Sequence, residues 1–231
     1  MDSATDLFQF ADVAWARRGA LGLVLIVPGI AGHVFGAVLL WMDLPTAKGL
    51  AHAVAAVVLA VGVFLATRKE PGPAAKTSSL ALWARVCALA SMMVWLILGL
   101  IAMKLLVTHG MVKPLVLLVL VIQTALAVLL SYVVSGMALR IPNDTLSSHA
   151  IYTGWATAAV CATLLVIQEL DLITSVHLMF FTCSFPMIGG FMVILCWAMI
   201  TLLRMGLDMR AAAQAGAAIT SRRQQRLAAR R

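Results

Sequence analysis

The chain has 231 residues, 63% of them hydrophobic and 11% charged, with a formal net charge of +8 and a mean hydropathy of +1.02. Soluble domains are about 45–50% apolar and about 25% charged, and a water-solvated core cannot bury this much apolar side chain. A soluble enzyme, a disordered chain and a disulfide scaffold are excluded, which leaves lipid as the solvent for most residues.

Six apolar stretches reach the roughly 20 residues that a helix needs to cross hydrocarbon. They cover 19–41, 48–67, 80–105, 114–138, 150–170 and 177–203. The fold they predict is an all-α integral membrane protein, a six-span helix bundle over 19–204. A cytoplasmic segment (1–18) precedes it and a basic cytoplasmic tail (205–231) follows. The first apolar run ends at Trp41-Met42-Asp43 without a small-residue cleavage site, so it reads as a retained helix.

Lys and Arg resist translocation and set orientation. With both termini inside, the cytoplasmic side holds Arg17, Arg18, Arg68, Lys69, Lys76, Arg85, Arg140 and the arginines from Arg204 onward, against Lys48, Lys104 and Lys113 outside. This predicts an N-in/C-in protein of a bacterial inner (plasma) membrane. Arg204, Arg210, Arg222, Arg223, Arg226, Arg230 and Arg231 form a cluster suited to anionic headgroups, at about 1 kcal/mol per residue near the surface, or to a partner subunit. No aromatic residue follows Arg204, so no nucleic acid is expected.

The first span carries Pro28, Gly29, Gly32, His33 and Gly36. Gly32 and Gly36 form a G-x-x-x-G pair that admits a second helix backbone, or alternatively a flat ligand beside His33. The second span places Gly49, Ala55 and Ala56 on the face of His52. Pro186, Gly189 and Gly190 punctuate the sixth. Pro28 and Pro186 each fall nine positions into their spans, so a transport site at midplane breaks would use Pro28, Gly32, Pro186 and Gly189. In the third span Trp83, Met92, Met93, Trp95 and Met103 are expected to pack against neighbours. In the fourth, Gln123, Ser131, Tyr132 and Ser135 are expected to bond between helices. Cys87, Cys161, Cys183 and Cys196 sit inside spans and behave as small hydrophobes.

Ionisable groups within a span mark function, and only His33 and His52 lie deep. The absence of deep carboxylates and lysines argues against a proton-driven pump. As a haem b site, His33 and His52 would ligate the iron, Gly29 and Gly36 would admit the porphyrin, and Lys48 would pair with a propionate. Adjacent helices in contact, however, hold imidazoles closer than a bis-histidine haem requires. A quinone site near the outer face is the related expectation. A second candidate is a divalent zinc or copper ion on His109, His177, Glu169 and Asp171 at the outer surface. Neither G-x-S-x-G, G-x-x-x-x-G-K-[ST] nor G-x-G-x-x-G after a strand occurs, so no catalytic activity of its own is expected. The sequence therefore favours a subunit of a membrane complex, possessing a redox site and joined to other membrane subunits or to its own copies. A small transporter or channel and a cofactor-free structural or assembly subunit are the alternatives.

Overall fold

The computed structural model describes residues 13–41, 45–69, 79–106, 110–139, 144–169 and 177–228. These residues form six helices: α1 (Val13–Trp41), α2 (Pro45–Ala66), α3 (Ser79–Ala102), α4 (Val112–Ala138), α5 (Asp144–Glu169) and α6 (His177–Ala228). There is no strand among them. Five helices are long and apolar enough to cross a membrane. The exception is α5, whose described part carries Ser147, Ser148, His149, Thr153 and Thr157 and does not reach that apolarity. Two of its threonine hydroxyls bond back one turn, Thr153 to the His149 carbonyl at 2.7 Å and Thr157 to the Thr153 carbonyl at 2.7 Å.

Each helix packs on the next in chain order, and α6 returns to α1, closing a ring. Small residues face inward. On α2 the buried face is His52, Ala53, Ala55, Ala56, Leu59, Ala60, Val63 and Ala66, while Val54, Val57, Val61 and Phe64 point outward. In lipid, burial of apolar area gives no advantage between helices, so close backbone approach and dispersion hold them together. Residues 22 and 62–66, 29 and 59, 32 and 55, and 36 and 52 meet along the antiparallel α1–α2 seam. A Cβ on Gly22 would lie 2.6 Å from the Gly62 carbonyl oxygen, a distance no side chain can adopt.

Polar contacts fix the two ends of the bundle. At one end the Trp15 indole donates to the Arg68 carbonyl at 2.7 Å. Arg85 Nε donates to the Thr67 hydroxyl at 2.8 Å, its Nη2 donates to the Thr67 carbonyl, and its guanidinium lies 5.7 Å over the Phe64 ring. Arg85 thus caps the end of α2 from α3. Replacing it with methionine is expected to cost about 1.5–3 kcal/mol, the range for bonds to a charged group. Arg85→Lys should restore only part, because an ammonium cannot reproduce the fork. Unfolding midpoints in detergent measure both. A methionine variant as stable as wild type would contradict the capping role.

At the other end the Thr46 hydroxyl meets the Ala102 carbonyl at 3.4 Å. There α3 stops three residues short of the predicted span. Lys104 is left-handed at φ 59, and the bonds Lys104 N–H to Ile101 O (2.9 Å) and Leu105 N–H to Leu100 O (3.0 Å) close a Schellman turn.

The main core cluster lies towards the arginine-bearing end. It joins Trp15, Ala20, Leu23 and Ile26 to Leu59 and Val63, Ala84 and Ala88, Leu126 and Leu130, Leu146, and Met205 and Met209. Ser135 and Ser147 add a 2.7 Å hydroxyl bond between α4 and α5. Helix α6 has 52 residues, about 78 Å at 1.5 Å per residue, against about 30 Å of hydrocarbon. Met209 meets α1 at Gly19 and Gly206 meets it at Ala20 and Leu23. In that antiparallel register Arg210 is level with Arg17 and Arg18, and α6 continues past the start of α1. Residues 205–213 are therefore part of the packed helix, with Met205, Met209 and Ala213 buried.

Candidate functional site

His33 comes from the C-terminal third of α1 and His52 from the second turn of α2, and the seam register sets them face to face. Their Nδ1 atoms are 3.0 Å apart, with ring centroids at 5.3 Å and planes 28° apart. Trp95 on α3 stacks on His52 at 4.2 Å and 19° and approaches His33 at 5.3 Å. His52 is buried at 6% exposure. Gly36 makes room for it, since a Cβ there would lie 2.8 Å from His52 Cε1.

A bond between two Nδ1 atoms requires one neutral imidazole to donate Nδ1–H to the lone pair of the other, so the two tautomers are linked. His33 Nε2, Trp95 Nε1 and Ser91 Oγ are buried without a hydrogen-bond partner among the described residues. Orphaned polar atoms are rare in folded proteins and call for a physical explanation.

The pair as it stands does not hold a haem iron between its Nδ1 atoms. Metal–imidazole bonds of about 2.0–2.1 Å put two trans nitrogens about 4 Å apart with the metal between them, whereas these nitrogens touch. The glycines expected to admit a porphyrin are already filled by α2. Gly29 faces Leu59, with a Cβ at 2.9 Å, and Gly36 faces His52. Lys48 lies one turn before His52 on α2, half-buried.

The outer metal set is not brought together by described residues. His109 and Asp171 lie outside them, as do the side chains of Glu169 and His177. Among the described residues no three His, Cys, Asp or Glu side chains converge. Neither expected helix break occurs: α1 runs through Pro28, and α6 runs through Pro186, Gly189 and Gly190. Proline removes one backbone bond, and here the loss is absorbed within a long helix. Pro28 faces outward and Gly32 packs on Ala55, while no described residue lies within 4 Å of a Cβ on Gly189; the side chain of Pro186 is outside the described residues.

Of the basic cluster, Arg204, Arg210 and Arg222 are exposed, and Arg204 sits 4.0 Å from Asp208 one turn on. Arg223 and Arg226 lie on α6 with side chains outside the described residues, and Arg230 and Arg231 lie beyond them.

Trp95 is the residue that sequence reasoning missed, having been assigned to packing. Its signal is Gly99 one turn later, which lets α2 approach α3 at Gly49 and Ala53 and so brings the indole over His52. Comparison with known protein families, curated proteins and solved structures finds no match.

Proposed function

We propose that the protein is a polytopic inner-membrane subunit of an electron-transfer assembly, with both termini cytoplasmic, and that His33 and His52 form the hydrogen-bonding site for its redox ligand near the outer face. The observation that carries this is the 3.0 Å imidazole pair joining two membrane helices. Ionisable side chains at such depth are costly and mark functional sites. The orphaned His33 Nε2 beside the pair supplies a group for a ligand. The ring of Arg17, Arg18, Arg68, Lys69 and Arg210 at one end of the bundle supports the cytoplasmic assignment of that end, and the α6 extension carrying Arg222 supports contact with anionic headgroups. The transport alternative would use the prolines of α1 and α6, where both helices run on unbroken.

The test is isolation of the tagged chain from its source membranes in mild detergent, with dithionite-reduced minus oxidised spectra. Larger redox subunits are expected to accompany it and carry the visible bands, while the chain stripped of partners gives a flat spectrum. A chain that arrives alone, or with no redox-active protein, would contradict the assignment. Reporters active only outside the cytoplasm should be silent when fused after Arg222 and active when fused at Lys104; the reverse pattern would overturn the orientation.

A further inference from the structure

Three planar rings from three helices form one stacked group, and two of them present a buried nitrogen without a partner among the described residues, His33 Nε2 and Trp95 Nε1. An indole N–H can only donate, so whatever satisfies Trp95 must be an acceptor. Either imidazole can donate across the Nδ1–Nδ1 contact. If His52 donates its Nδ1–H to His33 Nδ1, His33 carries its own proton on Nε2 and becomes a second donor. The His52 Nε2 lone pair is then left against Gly36, where only a hydrogen atom fits.

The depth of the group defines the solvent from which its ligand comes. His33 is eight residues from the end of α1 and His52 seven from the start of α2, about 12 Å and about 10 Å at 1.5 Å per residue. Both residues therefore lie within stretches long and apolar enough to cross a membrane, where the surrounding solvent is lipid rather than water. From these constraints we infer that the His33–His52–Trp95 group binds the carbonyl head of a quinone, with His33 Nε2–H and Trp95 Nε1–H as donors and the flat ring added to the aromatic stack. The inference rests on the redox-ligand reading above and names the ligand class for it. A phospholipid ester carbonyl offers the same acceptor chemistry without the flat ring.

The probe is decylubiquinone, titrated by calorimetry into wild-type protein in nanodiscs of ether-linked and of ester-linked phospholipid. Saturable binding near one quinone per chain is expected in both. Trp95→Phe keeps the stacked ring and loses only the donor, and is expected to weaken binding about tenfold. His33→Leu should do the same, His33→Gln should restore part of the affinity through its amide N–H, and Cys196→Ser should change nothing. In 15N-labelled protein the indole N–H resonance of Trp95 should move on addition of quinone. Uptake that never saturates, or equal affinity in wild type and Trp95→Phe, would overturn the inference. An indole resonance that differs between ester and ether discs but ignores quinone would assign the site to lipid carbonyls instead. The apo spectrum separates this from the broader reading: loss of the coupling across the His33–His52 N–H···N bond would sink the imidazole pair itself, whereas coupling without quinone binding sinks only the ligand.

Discussion

Gly22→Leu is expected to be strongly destabilising to the helix bundle. At Gly22 the opposing atoms are the backbone of α2 at Gly62 and Ala66, which cannot rotate aside as a side chain can. Overpacking a well-packed core typically costs about 1–3 kcal/mol, and a backbone-to-backbone seam belongs at or above the top of that range. Separating α1 from α2 there also strips the neighbouring Leu23, Ile26, Leu59 and Val63 of contacts within the main core. The same change at Gly136 or Gly189, where a Cβ meets nothing within 4 Å among the described residues, is expected to stay within about 0.5 kcal/mol of wild type. Unfolding of the three variants in detergent decides the matter. Equal stability across them would show that the α1–α2 seam does not depend on backbone approach.

The second large effect concerns the imidazole pair and has a non-additive signature. His52→Leu leaves His33 Nδ1 buried without its partner, which is expected to cost about 1–3 kcal/mol, and it also removes the stack on Trp95, about 0.5–1.5 kcal/mol more. His33→Leu orphans His52 in the same way. Replacing both partners removes the unsatisfied atoms together, so the double variant should be more stable than the sum of the single losses predicts, by about 1 kcal/mol or more. The cycle is read from unfolding free energies of the four proteins. Strict additivity would mean that the 3.0 Å contact contributes no coupling, and the site would lose its physical basis.

How much of this was legible beforehand differs from element to element. The helices α1 to α4 follow from runs of apolar residues long enough to cross hydrocarbon, because in lipid a helix satisfies its own backbone and each span declares itself locally. The end of α3 was misplaced by three residues because the left-handed turn at Lys104 uses a residue type that gives no warning of a C-cap, unlike glycine. The polar character of α5 was visible in its serines and threonines, yet the expected span there rested on the apolar stretch that follows them.

For the site, His33 and His52 stood out as the deep ionisable residues, and the small residues beside them indicated close helix approach. Whether those small residues left a slot or a seam depended on what faced them. The register brought Leu59 to Gly29, Ala55 to Gly32 and His52 itself to Gly36, so the space was used up by helix and the imidazoles met directly. Trp95 joined them because Gly99 and Gly49 bring α2 onto α3, an encounter between residues fifty positions apart that no local pattern encodes.

By itself the sequence determined the solvent, the helical class, the charge asymmetry and the rarity of deep ionisable groups. All of these depend on composition or on periodicity within one segment, which transfer free energy and backbone hydrogen bonding govern directly. The tertiary structure alone decided that two histidines on neighbouring helices share one hydrogen bond under a tryptophan from a third. It also carried α6 unbroken through its proline and into the core at Met205 and Met209. Those outcomes depend on helix register, which dispersion forces set to within a fraction of a turn, and register is a property of pairs of helices that neither segment carries alone.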